Sequence, residues 1–284
     1  RRKNLCYNRS VNVSEKGVKH LLKIENIKLP PGSSMDGLTA EAARLLRIRK
    51  TDVLSLRILR RSVDAREGVS MVYAVEVSVN DEASLLRRCR NKRISLSATR
   101  PAYALPAPRS APEVPPVVAG AGPAGLFCAL VLARAGLRPI LLEQGRSVDA
   151  RQADVERFWT SGMLDLTSNV QFGEGGAGAF SDGKLNTGTK DLRHRFILEQ
   201  LVSCGAPEDI LIDAKPHVGT DYLHIILKRL REELLRLGAD IRFETRLTDL
   251  DIRRGRLAGI AAEEPGGAYS LPCTHLALCP GHSA

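Results

Sequence analysis

The chain has 284 residues, of which 43% are hydrophobic, and it carries a formal net charge of +10 at pH 7. This length is enough for about two domains with their own cores. No stretch of the sequence approaches the roughly 18 continuous apolar residues of a transmembrane helix, which argues against a membrane-spanning protein. The charge is uneven, because residues 1–110 hold 23 Lys and Arg against 10 Asp and Glu, whereas the remaining residues hold 19 against 22.

Residues 1–18 are polar, and we expect a poorly ordered lead-in there. Residues 19–100 then show strand-like and helix-like patterns in the order strand, helix, strand, strand, helix, strand. This is the split βαβ order of a ferredoxin-like α+β domain. The predicted segments are 21–29, 38–46 (capped by Ser34 or Asp36), 53–60, 71–79, 82–90 (capped by Asp81) and 94–98.

The positive charge of this first domain has two interpretations. The one we favour is a solvated surface in an Arg-rich protein. The other is a surface that meets nucleic acid, a membrane surface or an acidic protein. The basic residues are not interleaved with aromatic ones in the way that base stacking requires, so nucleic acid is the less favoured partner.

Six prolines fall within residues 101–116, which is typical of a stiff, extended linker. We therefore predict a domain boundary there, followed by a second domain over residues 117–284. Phe158 and Trp159 lie at apolar spacing near the end of a predicted helix and are expected in the core. Helices are predicted over 126–138, 148–159, 192–205 and 222–237, and strands over 116–119, 139–143, 240–243, 247–253, 257–263 and 276–279.

The second domain opens with a strand, a glycine-rich turn, a helix and a second strand that ends in an acid. The turn, residues 120–125, reads Gly-Ala-Gly-Pro-Ala-Gly, and we call it the first glycine loop. Gly120 makes the sharp turn, Gly122 lets the backbone approach a pyrophosphate, and Gly125 lets the helix pack on the strand. Glu143 lies 18 residues beyond Gly125, where an acid can bind an adenosine ribose. The order of these parts predicts dinucleotide binding.

A second glycine-rich segment, residues 171–184, holds five glycines, and we call it the second glycine loop. A packed helix or strand disfavours so many glycines, whereas a loop whose N–H groups wrap an anion uses them. Ser181 and Lys184 add a hydroxyl and a positive charge. The alternative is a flexible surface loop, against which Phe172 and Phe180 argue.

The six cysteines are scattered, and no pair has the spacing of a redox or zinc motif, so we predict free thiols and no metal site. This usage suits a reducing compartment: the cytoplasm, or the plastid stroma if the source is a photosynthetic eukaryote. His217 is a candidate proton donor, although a hydrogen-bonded turn is its favoured role, and His282 is a candidate for a residue that approaches a bound cofactor. Neither a phosphate-loop motif nor a nucleophile elbow is present in the sequence.

Five blocks of this sequence resemble the uncharacterised FAD-dependent dehydrogenase family, flavoproteins related to the glutathione-reductase type of FAD-binding fold. The blocks are residues 120–125, 143–146, 168–184, 215–221 and 280–284. The resemblance covers about residues 20–284. It implies an α/β fold, with a three-layer Rossmann-like FAD-binding domain preceded by a small N-terminal domain. It also implies FAD as the cofactor, with NAD(P)H as one candidate electron donor.

The resemblance assigns FAD-binding roles to particular residues, while the flavin itself carries out the redox chemistry, so the catalytic residues stay unknown. The residues implied at the pyrophosphate are Gly120, Gly122, Pro123, Ala124 and Gly125. Those implied at the adenosine ribose, phosphate and adenine are Glu143, Arg146 and Leu247. Those implied at the ribityl chain and flavin are Gly175, Gly176, Ala177 and Lys184.

The chain departs from the family in two ways. Gln144 stands where the family tends to have Arg, and the family continues beyond Ala284 into a substrate domain and a last FAD-binding segment. Residues 117–284 are therefore expected to be a truncated FAD-binding domain. The expected function is an FAD-dependent oxidoreductase, or its N-terminal FAD-binding portion, with an unknown small-molecule substrate. The alternatives are a flavoprotein subunit whose basic domain binds RNA or an acidic partner, and an inactive FAD-binding remnant.

Overall fold

The protein is described by a computed structural model, which divides into two compact units, Arg1–Arg100 and Pro101–Ala284. The lead-in predicted over residues 1–18, and the candidate His282, lie outside the described residues. The residues that the structure describes are 21–98, 102–181, 183–185, 189 and 191–281.

The first unit is a two-layer α+β domain in which two helices pack on an antiparallel sheet. The described strands lie in the order β2-β3-β1-β4, and each neighbouring pair is antiparallel. This order confirms the ferredoxin-like fold that the sequence predicts. Its elements are β1 (Leu22–Leu29), α1 (Met35–Leu46), β2 (Ser55–Asp64), β3 (Ser70–Ser78), α2 (Glu82–Arg88) and β4 (Ile94–Leu96).

Local capping and one apolar sheet face explain why these segments fold. Ser34 Oγ accepts a hydrogen bond from the Gly37 N–H and caps α1, and the Asp81 carboxylate caps α2 in the same way from Ser84. The core of the unit lies between the helices and one sheet face; its fully buried residues include Leu22, Ile24, Ala42, Val75 and Val77. Strand β2 runs further than predicted, because its pairing with β3 continues to Asp64 opposite Ser70.

The second unit has three layers around a parallel sheet with the strand order β11-β5-β6-β7. A separate antiparallel sheet has the order β10-β9-β8. The elements are β5 (Val117–Ala119), α3 (Pro123–Arg134), β6 (Ile140–Leu142), α4 (Val148–Ser161), α5 (Leu192–Ser203), α6 (Thr220–Arg236), β7 (Asp240–Arg242), β8 (Arg246–Arg253), β9 (Arg256–Glu264), β10 (Gly267–Pro272) and β11 (Leu276–Leu278).

Alternation along the parallel strands builds the layers, since successive side chains point to opposite faces of a sheet. Val118 and Leu141 belong to the core shared with α3 and α6. Their neighbours Val117 and Leu142 pack instead with residues of the antiparallel sheet, such as Ile260. The strands are thus buried on both faces, and the predicted three-layer Rossmann-like α/β fold is confirmed.

Two predictions for the second unit are wrong. No strand was predicted where β10 lies. Its residues begin at a Gly-Gly turn and end at a proline, and these residues hide the pattern of a strand. Trp159 is 66% exposed rather than part of the core. The buried face of α4 is made by Val148, Arg151, Asp154 and Val155, and the last helical turn extends past the core.

Residues 102–116 form neither helix nor strand, as expected for a proline-rich segment. The beginning of this segment nevertheless lies against the second unit. The Tyr103 ring packs on the Phe196 ring of α5, with 5.5 Å between the ring centroids.

Candidate functional site

Two glycines of the first glycine loop are required by close packing of the protein on itself. Gly120 has φ +103°, and a Cβ added there would lie 2.2 Å from the backbone oxygen of Cys279. A Cβ added to Gly125 would lie 1.7 Å from the backbone oxygen of Gly120. Helix α3 can therefore approach the end of β5 only because position 125 carries no side chain.

Gly122 differs from these two, because the space in front of it is open. It is the N-cap of α3, its φ of −71° suits any residue, and no described heavy atom lies within 4 Å of its Cβ position. Pro123 and Ala124, the first residues of the helix, are exposed. The free N–H groups and the positive dipole end of α3 thus face open space, which is a favourable place for a phosphate.

The second glycine loop contacts the first at this open end. The Gly175 N–H donates a hydrogen bond to the Ala121 oxygen at 2.8 Å. The Cβ position of Gly176 lies 3.4 Å from Gly122 Cα and Pro123 Cδ. Both glycines have positive φ, at +84° and +59°, so the loop needs glycine here. A short 3-10 turn then begins at Gly176 and leaves the following Ala177 exposed.

Glu143 lies where the sequence predicts an acid, just beyond the end of β6, and it is 5% exposed. One carboxylate oxygen accepts a hydrogen bond from the Ala121 N–H at 2.7 Å, and the other accepts from the Gly145 N–H at 2.8 Å. A carboxylate has about four acceptor positions, so capacity for two ribose hydroxyls remains. Glu143 therefore ties the first glycine loop to the end of β6.

The chain beyond β7 lies beside Glu143, on the predicted adenosine side. The Thr245 N–H donates to the Glu143 backbone oxygen at 2.9 Å, and the Glu244 N–H donates to that of Gly145 at 3.0 Å. Leu247 follows in β8, where it is half-buried against the small core under the antiparallel sheet. The connection from β7 to β8 is thus held at the same sheet edge as the first glycine loop.

Arg146 is half-exposed and bridges two acids. Its Nη1 donates to Asp154 of α4 at 3.1 Å, and its Nε donates to Glu244 at 3.1 Å. The Glu244 hydrogen bond, with the Asp154 carboxylate nearby, raises the pKa of Arg146. Its guanidinium stays charged and joins α4 to the β7–β8 connection.

Lys184, at the end of the second glycine loop, lies in an isolated antiparallel bridge with His217. Both residues are exposed. The bridge is extended by hydrogen bonds from the Leu185 N–H to the Pro216 oxygen and from the Val218 N–H to the Gly183 oxygen. Lys184 is therefore placed beside His217, which lies in the short segment that precedes α6.

Arg151, a fully buried arginine that was not predicted from the sequence, supports the second glycine loop. Its Nε donates to the Asn169 oxygen at 2.7 Å, and its Nη1 donates to the oxygens of Glu174 at 2.7 Å and Gly173 at 3.3 Å. The guanidinium carbon lies 4.7 Å from the centroid of the Phe180 ring. Burial lowers the pKa of Arg151 to about 10, against the opposing effect of nearby carboxylates, so the group remains a cation at neutral pH.

The carboxylate of Glu174, which was also not predicted from the sequence, is buried, with the residue 1% exposed. It accepts hydrogen bonds from the Val148 N–H at 2.7 Å, at the start of α4, and from Arg231 Nη1 at 2.6 Å, on α6. Arg231 also reaches Asp149, which Lys228 contacts as well. Burial raises the pKa of Glu174, and its hydrogen bond from the Val148 N–H and the charge of Arg231 oppose that rise.

A pattern in the sequence points to Arg151 in retrospect. Val148, Arg151 and Val155 recur at the spacing of one helix face, so an arginine stands on the apolar face of α4. A buried arginine needs several acceptors. A glycine-rich loop with free backbone oxygens supplies them.

The described residues contain no group of His, Cys, Asp and Glu that could hold a metal ion. Their cysteines, Cys89, Cys128, Cys204, Cys273 and Cys279, are free thiols. Burial raises the pKa of the last four, so these four thiols stay protonated at neutral pH. Among the same residues, no helix is long and apolar enough to cross a membrane.

Two family models match parts of the chain. The FAD binding domain model matches residues 116–182, which include both glycine loops up to Asp182. A domain of unknown function, DUF8436, matches residues 22–80 of the first unit.

An uncharacterized protein from Clostridium beijerinckii is 41% identical over 265 residues, which cover 93% of this chain and 49% of that protein. The chain thus spans about half the length of this relative. Among solved structures, Thermovibrio ammonificans THI4 is 14% identical with a TM-score of 0.41, covering 60% of this chain and 58% of that one. A 3-ketosteroid-Δ4-(5α)-dehydrogenase from Rhodococcus jostii RHA1 is 20% identical with a TM-score of 0.37, covering 57% and 44%.

The family match and the fold agree with the resemblance that the sequence indicates. The matched segment contains the strand, first glycine loop, helix and acid of a dinucleotide site, within a three-layer Rossmann-like unit. Residues 116–182 therefore match the FAD binding domain model within a unit that has a Rossmann-like fold.

Proposed function

We propose that the second unit binds FAD and that the protein acts as an FAD-dependent oxidoreductase on a small-molecule substrate. One observation carries the proposal: the two glycine loops meet at the open N-terminus of α3. Gly175 is hydrogen-bonded to Ala121, while the space in front of Gly122 is free of described atoms. This is the cradle that a pyrophosphate needs, and an added side chain would fill it.

The residues divide the binding of FAD between them. The backbone N–H groups of Gly122, Ala124 and Gly125 would hold the pyrophosphate. Pro123 lies between them and has no N–H group. Glu143 would accept hydrogen bonds from the ribose hydroxyls through its remaining lone pairs. The backbone around Leu247 and the side chain of Arg146 would face the adenine side, where the β7–β8 connection lies.

The second glycine loop would line the ribityl and flavin side. Gly175 and Gly176 would let the backbone come close to the cofactor, and the exposed Ala177 would add a small surface. Lys184 would place a positive charge near the flavin, next to His217. When bound, FAD supplies the redox chemistry, and the protein supplies position and electrostatics.

Further parts of the proposal concern the whole protein. We take residues 19–100 as an N-terminal domain, 101–116 as a linker and 117–284 as an FAD-binding domain. NAD(P)H is proposed as the electron donor, and the free thiols support a reducing compartment such as the cytoplasm.

The first experiment is a visible absorption spectrum of the purified chain, followed by heat release and identification of any yellow ligand. The two-band spectrum of oxidised flavin, with FAD released, is the expected result. A chain that stays colourless after incubation with FAD would contradict the proposal for this chain. Anaerobic addition of NADPH or NADH to the yellow protein then tests the donor, since bleaching of the long-wavelength band reports reduction.

A further inference from the structure

Five positively charged side chains stand together at the end of α2 and in the turn to β4. All are exposed, and we call them the basic cluster: Arg87, Arg88, Arg90, Lys92 and Arg93. Within the part of the chain that the structure describes, none of the five has an ion pair with an acid. The Cys89 thiol donates a hydrogen bond to the Leu46 oxygen at 3.4 Å, so the exposed Arg47 at the end of α1 extends the cluster.

Several other exposed cations of the same unit are paired with acids. Each of four pairs has a partner close in the fold: Arg44 with Glu41, Arg49 with Asp52, Arg66 with Asp64 and Lys50 with Asp36. A surface on which acids balance the bases is therefore common in this unit. The basic cluster is an exception to it, and a solvated Arg-rich surface does not account for the difference.

Helix electrostatics explain only part of the cluster. Cations in the last turn of a helix are stabilised by its negative dipole end, and Arg87 and Arg88 lie in the last turn of α2. Arg90, Lys92 and Arg93 lie beyond the helix. The neighbouring strand β1 does bring Glu25 close, since its N–H donates to the Arg93 oxygen at 2.9 Å, but the Glu25 carboxylate pairs with Lys23.

We propose that the basic cluster binds the phosphate backbone of a nucleic acid. Arginine forks match phosphate oxygens in a bidentate manner, and a row of cations that lacks internal acids is complementary to a row of phosphates. The cluster contains no aromatic residue on which bases could stack, so the proposed contacts are to the phosphate backbone, which carries no sequence information. This proposal does not depend on FAD binding by the second unit.

An acidic protein fits the cluster less well, because the centres of protein–protein interfaces are apolar. Among the described residues 82–98, Leu96 is the one large hydrophobic side chain that is exposed. A surface of this kind has cations but lacks apolar anchors. It therefore favours a partner whose binding energy is mainly electrostatic.

The test measures binding of the full chain to a fluorescent single-stranded RNA by anisotropy, over a series of salt concentrations. The cluster variant combines Arg87→Gln, Arg88→Gln, Arg90→Gln and Lys92→Gln. The matched control removes the same residue types from paired sites: Arg44→Gln, Arg49→Gln, Arg66→Gln and Lys50→Gln. We expect the cluster variant to lose more than about tenfold in affinity at low salt, and its log–log salt slope to fall by about 3.

Several results would overturn the proposal: no RNA binding at low salt, equal weakening in the control, or tighter binding of an acidic peptide than of RNA. The last result would assign the cluster to an acidic protein. Binding to a duplex DNA of the same length is measured as well. Binding of the RNA alone and binding of both nucleic acids each support the proposal. Thermal unfolding shows whether both variants fold. If the cluster variant does not fold, RNA binding is measured with the single charge reversal Arg88→Glu instead.

Discussion

The two glycine loops of the second unit are held in place by different interactions. The first is fixed by close backbone packing at Gly120 and Gly125, with one side chain, Glu143, accepting a hydrogen bond from the Ala121 N–H. The second is held by buried charges that come largely from two helices, namely Arg151 on α4 and Arg231 on α6, together with the loop's own Glu174. The comparison teaches that glycine spacing can specify a loop locally, whereas a longer glycine-rich loop needs support from distant residues.

The largest expected effects are on folding and on FAD binding, and they differ between two glycines of the first glycine loop. Gly125→Val should prevent folding of the second unit, because the new Cβ would lie 1.7 Å from the Gly120 oxygen. Gly122→Val should leave the fold intact, since its Cβ position is open, but it should abolish FAD binding by filling the pyrophosphate site. Thermal unfolding and titration with FAD, followed by flavin fluorescence, measure both effects.

Gly219→Val is the matched control for this pair. Gly219 is also a helix N-cap with extended ψ, and no described atom lies within 4 Å of its Cβ position. We expect this variant to keep both its fold and its FAD. If Gly122→Val bound FAD as well as the control does, the pyrophosphate would not lie at the N-terminus of α3.

Among the changes around the second glycine loop, Arg151→Met should lower the free energy of unfolding the most. The change leaves the backbone oxygens of Asn169 and Glu174 without their donor, and it leaves Glu174 near one fewer cation. Removal of one partner from a buried charged network costs about 3–5 kcal/mol. We expect a large fall in the free energy of unfolding, measured with urea, and weaker FAD binding.

Arg157→Met on the same helix is the control, because Arg157 is half-exposed and the buried Asp154 that it contacts keeps Arg146 as a second cation. It should cost about 1 kcal/mol, the upper end for a half-exposed pair. Equal destabilisation by the two changes would show that the buried contacts of Arg151 do not support the loop.

The same comparison shows where sequence reasoning succeeds. The strand order of the first unit follows from apolar alternation and capping residues, and the first glycine loop follows from a spacing whose geometry is local. Arg151 and Glu174 could not be predicted in the same way. Charged residues are rarely buried, so their type alone indicates a surface, and their partners lie about 20 to 60 residues away in sequence. Strand β10 was missed because its pairing, not its composition, makes it a strand.

Glu174→Gln should change how the free energy of unfolding depends on pH, because it removes a buried carboxylate. Burial raises the pKa of Glu174 in the folded protein, so its protonated form is favoured by folding. The stabilisation is present below about pH 4.3, the usual glutamate value, and is lost as the pH rises through the raised pKa. Glutamine keeps an acceptor for the Val148 N–H but cannot titrate. The stability of wild type relative to Glu174→Gln should therefore fall as the pH rises from acid to neutral.

Urea unfolding of both proteins over this pH range measures the difference, and groups that titrate in both proteins cancel. Glu156→Gln, the same change at an exposed position of α4, controls for the loss of a carboxylate. A difference that stays constant with pH would mean that the environment of Glu174 does not disfavour its charge.

The smallest expected effect is that of Asp149→Asn, at the exposed end of the same network. Hydrogen bonds from Lys228 and Arg231 lower the pKa of Asp149, so its contribution is present at neutral pH and is lost as the pH falls through the lowered pKa. Because the carboxylate is 46% exposed, the loss at neutral pH should be under about 1 kcal/mol. High salt should reduce this loss of stability further, since exposed ion pairs are screened.

Urea unfolding at neutral pH, at low and high salt, measures this effect beside that of Arg151→Met. Arg231 joins Asp149 to Glu174, so the two ends of one network are compared in the same protein. The Arg151→Met effect should persist at high salt, because its contacts are buried. If Asp149→Asn were as costly as Arg151→Met, or equally insensitive to salt, the support of the second glycine loop would extend to the surface rather than reside in the buried contacts.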